Sequence, residues 1–250
     1  PNQPGCAFPS KALAGVGVMF YVLAALRTKL GVQADLAALL DLVAVGTVAD
    51  MVPLDANNRA LVGAGLRRLR AGQGSAGLRA LIEVAGRKAE TLSTTDIGFA
   101  IGPRINAAGR LEDMGIGIEC LLTDDPRQAR ELASILHGIN DERRALQAEM
   151  QDVAEAKLDG IDTAYAACLF DPDWHPGVVG LVASKVKERL HRPAIAFAPA
   201  EPDSDVLRGS ARSIPGFHIR DALALVDARH PGLIARFGGH AMAAGMGLPQ

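Results

Sequence analysis

From Pro126 to about residue 158 the residues Ala129, Leu132, Leu136, Ile139, Leu146, Met150 and Val153 recur at alternating steps of three and four. Such steps place side chains on one helix face, and the pattern persists for several heptads. Arg143 stands where another apolar residue would fall, and the opposite face is charged. Two architectures satisfy this: a coiled coil between chains, or one long helix joining two domains. The pattern changes character on either side, which favours the connector. Gly138 lies inside it, weakens the helix and permits a bend there.

Before the connector the pattern is helical throughout. Ser10 is a candidate N-cap for a helix ending near Gly31, with Leu13, Val16, Val18, Met19, Val22, Leu23 and Leu26 as its apolar stripe. A second helix, from about Ala34 to Val45, is apolar on nearly all sides and is expected to be buried. A third spans 57–71, capped by Asn57 or Asn58, and a fourth 76–85. Ser93 to Asp96 reads as the cap of a helix running to Ile101. After the connector the pattern becomes strand, helix, strand. Strands are expected at 165–170, 194–198, 205–211 and 242–248, and helices at 176–190 and 217–228. The fold class is therefore α/β, a helical part followed by a small sheet with helices packed on it. The boundary is expected near 155–162.

Composition narrows the function. The net charge of −2 excludes bulk basic capture of nucleic acid, so any polyanion site is local. Three scattered cysteines fit a reducing, cytoplasmic setting and give neither a disulfide framework nor a zinc site. No apolar run reaches the roughly 18 residues of a spanning helix. The first residue is Pro1, so a piece of a longer chain is expected.

The polar residues stand in glycine-flanked clusters. Gly102-Pro103-Arg104-Ile105-Asn106-Ala107-Ala108-Gly109-Arg110-Leu111 carries two arginines on a small-residue segment. It suits either an anion held against the main chain, or arginines paired with Glu112 and Asp113. Asp50 lies in the apolar run Gly46 to Leu54, as a cap or as a ligand for a hard cation. His175, in Trp174-His175-Pro176-Gly177, precedes a helix whose amides attract anions. Ser210 and Arg212 fall two apart in a strand and would point the same way, ready to grip one phosphate. His240 follows the pair Gly238-Gly239. Each has a plain structural alternative: a helix cap for His175, an exposed edge for Ser210 and Arg212, a core histidine for His240.

Taken in order, LLDLVAVGTVADMVPL (39–54), Asn58-Arg59, GPRINAAGRL (102–111), WHPGVVGLVASK (174–185), GSARS (209–213) and GGHAMAAG (238–245) resemble the DHH/DHHA1 phosphoesterase superfamily. Within it the closest resemblance is to the bacterial single-strand-specific 5′→3′ exonucleases, and it covers essentially all 250 residues. It implies the C-terminal portion of a DHH catalytic domain over 1–124, a connector helix over 125–160 and a DHHA1 domain over 161–250.

The resemblance also implies a reaction. Two divalent cations, Mn²⁺ or Mg²⁺, activate water for phosphodiester hydrolysis in DNA repair and recombination. Asp50 matches the metal-binding aspartate of the last of four metal motifs. The earlier motifs are absent and are expected upstream, so the chain alone is expected to be inactive. Arg104, Ser210 and Arg212 match positions that hold the 5′-phosphate or nearby backbone; Asn106, Arg110, His175 and His240 match the substrate cleft. The implied partners are single-stranded DNA with a 5′ end, a single-strand-binding protein and a helicase, with no membrane and a monomeric state. The alternatives are a phosphodiesterase of short oligonucleotides or cyclic dinucleotides, and a non-catalytic single-strand-binding relative.

Overall fold

The computed structural model describes residues 1, 3–158, 165–202 and 204–249. It is mixed α/β and divides into two compact units, Pro1–Asp141 and Glu142–Gln250. Part of the boundary expected from sequence, residues 159–162, lies outside the described residues.

The first unit is helical. Helix α1 spans Gly15–Leu30 and ends on Gly31 in the left-handed region, φ 66°. A 3₁₀ turn, Leu36–Leu39, leads into α2, Leu40–Ala49, and then α3, Ala56–Arg70. Helix α2 packs on α3 with almost no gap. A Cβ on Gly65 would stand 2.1 Å from the Leu40 carbonyl oxygen and 2.5 Å from the Ala44 Cβ. Only glycine permits that approach. Helix α4, Ala76–Val84, starts at Ser75, and α7, Met114–Leu122, crosses it equally closely at Gly77 and Cys120. Leu78, Leu81, Ile97, Ala129 and Leu136 are fully buried in the shared core. Each large side chain there contributes about 1.5–3 kcal/mol by leaving water.

Several local expectations give way to longer-range contacts. Ser10 does not cap α1; its hydroxyl donates to Asp55 at 2.7 Å, 45 residues away. Asp55, not Asn57 or Asn58, caps α3 by accepting from the Asn58 N–H. Asn58 is instead fully buried, and its amide donates to the Ala12 and Pro53 carbonyls. The apolar stripe of α1 is exposed at Val16, Met19, Val22 and Leu26, half-buried at Val18 and Leu23, and buried at Leu13. Helix α2 is buried as expected, but it also buries Asp41, which accepts from the Leu42 and Ser75 N–H groups.

The Ser93–Asp96 capping box opens α5, Thr94–Asp96. The chain then makes a π turn, Ile97–Ile101, and continues as α6, Gly102–Leu111. The helix expected to stop at Ile101 thus carries on through the arginine-bearing stretch. Helix α8 runs unbroken through 33 residues, Pro126–Leu158, as the three-and-four pattern predicts.

The second unit holds a five-stranded sheet of order β1-β2-β3-β5-β4. Its strands are β1 Ala167–Phe170, β2 Ala194–Pro199, β3 Val206–Arg212, β4 Arg236–Gly239 and β5 Ala243–Pro249. Only β1 and β2 are parallel, joined through α9, Val179–Leu190; the remaining pairs are antiparallel. Helix α9 starts three residues later than Pro176 suggested. Ala211 on β3 packs with Ile219 and Leu223 of α10, Ile219–Arg229, while Ser210 and Arg212 turn toward α9. The two helices therefore cover opposite faces.

Candidate functional site

Asp50 is the C-cap of α2, and its N–H donates to the Gly46 carbonyl at 3.0 Å. Its side chain is exposed, so the apolar run around it in sequence does not bury it. The next residue, Met51, takes φ 54°, a left-handed conformation uncommon outside glycine, and turns the chain sharply. The carboxylate consequently stands at the negative end of a helix dipole, where a cation rather than an anion is stabilised. It lines a pocket of about 420 Å³ with Ala14, Gly15, Val16, Gly46, Ala49 and Asn106.

Helix geometry sorts the α6 residues. Arg104, Ala107 and Ala108 are buried, Asn106 is exposed and Arg110 half-buried. Two residues along a helix is a turn of about 200° and six is about 240° away, so these three cannot share one direction. Arg104 faces inward, 9% exposed. Its Nη1 donates to the Ala100 carbonyl at 2.7 Å, and its Nε and Nη2 lie 3.2 and 3.0 Å from His137 Nδ1 on α8. Neither Glu112 nor Asp113 is among those contacts. Asn106 is the α6 residue that the structure brings to Asp50. It also lines a neighbouring groove of about 520 Å³ bordered by Met51, Thr94, Thr95, Phe99 and Pro103.

In the second unit, Ser210 and Arg212 lie on one face of β3 as the strand period requires. Arg212 Nη1 donates to Ser210 Oγ and to the Ala211 carbonyl, both at 2.8 Å. The first turn of α9 presses against them: a Cβ on Gly180 would lie 2.8 Å from Arg212 Nη2 and 2.9 Å from Ser210 Oγ. A guanidinium, a hydroxyl and a helix N-terminus thus converge, each a group that attracts phosphate oxygens. His175 is half-buried, and its Nδ1 accepts from the Gly177 N–H at 3.0 Å, which leaves Nε2 to carry the proton. His240 is exposed rather than a core histidine; its backbone N–H donates to the Ala243 carbonyl at 2.8 Å.

A hard divalent cation takes about six oxygen ligands. Among the described residues no three His, Cys, Asp or Glu side chains form a group that could hold a metal ion. Asp50 alone does not fit a two-cation centre. The residues that sequence reasoning overlooked, His137 and Asp41, act in partnership with groups 33 and 34 positions away, which no local pattern reveals.

Residues 161–250 match the DHHA1 domain model. The whole chain is 54% identical to the single-stranded-DNA-specific exonuclease RecJ of Dickeya dadantii and covers 46% of that protein. It is 50% identical to RecJ of Escherichia coli, again covering 46%. It is 41% identical to RecJ of Bacillus subtilis over 99% of this chain and 30% of that one. The chain thus spans about half, or less, of the curated relatives it matches. Among solved structures, RecJ from Thermus thermophilus in complex with Mg²⁺ superposes with a TM-score of 0.83 at 37% identity, over 97% of this chain and 36% of that one. An exonuclease RecJ bound to manganese gives 0.79 at 37% identity, over 98% and 59%. Over its whole length the chain is thus similar to a part of the RecJ-type exonucleases, and over residues 161–250 to the DHHA1 domain.

Proposed function

We propose that this chain is the strand-holding part of a single-stranded-DNA-specific 5′→3′ exonuclease. It lends Asp50 to a Mn²⁺ or Mg²⁺ centre whose other ligands come from outside these residues. The observation that carries the reading is the convergence of Ser210, Arg212 and the first turn of α9 on one spot. That spot is suited to a terminal phosphate; His175 and His240 serve the strand within the same unit, and Asn106 and Arg110 serve it within the first. Arg104, turned inward, serves the strand by fixing α6. The domains are a DHH portion over 1–124, a connector over 125–160 and a DHHA1 domain over 161–250. DNA repair and recombination in the cytoplasm, alongside a single-strand-binding protein and a helicase, is the setting that fits three free cysteines and this substrate. The 33-residue α8 weighs against the short-oligonucleotide and cyclic-dinucleotide alternative, whose members have a shorter join.

The test is direct. The purified 250-residue chain is mixed with a 5′-phosphorylated oligonucleotide and Mn²⁺. Binding without release of mononucleotides is expected. Sustained nucleotide release by this chain would show that the metal centre is complete within it and overturn the assignment.

A further inference from the structure

We infer that His137 on α8 is a positioning residue that sets the guanidinium of Arg104, and through it the α6 face bearing Asn106. The positional claim stands on geometry alone; its consequence for DNA rests on the reading above.

Arg104 Nε and Nη2 lie 3.2 and 3.0 Å from His137 Nδ1. A guanidinium has only donors, so Nδ1 must present its lone pair. The ring proton then sits on Nε2, which faces Asp141 Oδ2 at 3.5 Å on the same helix. The charged groups that the described contacts place against the ring are therefore Arg104 from α6 and Asp141 from α8. On α6, Arg104 faces inward while Asn106 faces the pocket shared with Asp50. A shift of one turns the other.

The experiment uses the 250-residue chain, its His137→Asn variant and its His137→Leu variant. Asn keeps an acceptor near the Nδ1 position; Leu keeps bulk and removes the acceptor. Nitrogen-15 NMR of the imidazoles at pH 7.5 should show His137 with Nδ1 unprotonated and Nε2 protonated; the opposite tautomer overturns the inference. Melting temperature and affinity for a 5′-phosphorylated oligothymidine are then measured at pH 7.5. His137→Leu should lose roughly three- to tenfold in affinity, the worth of one hydrogen bond, and His137→Asn should restore it. Equal affinities in the native chain and His137→Leu, or equal losses in the two variants, would overturn the inference. If the native chain does not bind DNA, the proposed function fails, while the tautomer and the melting temperatures, lowered in His137→Leu and restored in His137→Asn, still decide the role of His137.

Discussion

Arg212 and Ser210, two residues apart on β3, hold each other at 2.8 Å, and Gly180 leaves no room between them and α9. Arg212→Ala should therefore weaken binding of a 5′-phosphorylated single strand by about tenfold or more, the worth of a charge-assisted hydrogen bond. Binding of the 5′-hydroxyl strand should change much less. Gly180→Ala should mimic it, because the new Cβ pushes on both the end of the arginine and the Ser210 hydroxyl. Fluorescence anisotropy with the two oligonucleotides checks both; equal losses on both strands would remove the phosphate from the account.

The same substitution should have opposite signs at two other glycines. Gly65→Ala drives a Cβ to 2.1 Å from the Leu40 carbonyl, so α2 and α3 must separate. The cost is about 1–3 kcal/mol or more, above the roughly 1 kcal/mol that alanine returns as a better helix former. Gly138→Ala meets nothing within 4 Å inside α8 and should stabilise by about 0.5–1 kcal/mol. Urea denaturation of the two variants would show the midpoints moving apart.

Stability should hold steady toward acid and then fall below about pH 4. Asp55 is held below the usual carboxylate range by the Asn58 N–H and then the Ser10 hydroxyl. Asp96 is held there by the Ser93 hydroxyl and then its N–H. For a lowered carboxyl the unfolded chain takes up protons first. The stabilisation is therefore whole above the unfolded value, near 3.9, and is lost as pH drops toward the folded one. Asp55→Asn combined with Asp96→Asn should flatten that acid limb in melts recorded between pH 6 and 2.5.

The cysteines should alkylate in a fixed order. The Phe8 N–H lowers Cys6, whereas burial pushes Cys120 up to about 11. Iodoacetamide at neutral pH should label Cys6 first and leave Cys120 untouched until the chain unfolds. Mass spectrometry of timed digests reads the order.

What could be seen in the sequence was whatever depends on near neighbours. The capping box at Ser93 and Asp96, the three-and-four spacing of α8, and the shared face of Ser210 and Arg212 are all set within a few residues. What escaped depends on distant ones. Ser10 looks like a cap until Asp55 claims its hydroxyl. Arg104 looks ready for an anion until the helix turns it onto His137. Asp50 looks buried until Met51 bends the chain and leaves it in the open. Helix α7 opens on an Asp113 cap that sequence reasoning passed over, and strand β4, short and glycine-bearing, is placed by pairing with β5.

Strand β5 lies between β3 and β4 rather than at a margin of the sheet. On a translating ribosome the earlier strands must wait for it, β4 having no other neighbour in the described order. Every nascent chain therefore carries an open β3 flank until residue 249 emerges, and a stop codon before Ala243 would leave that flank sticky for good.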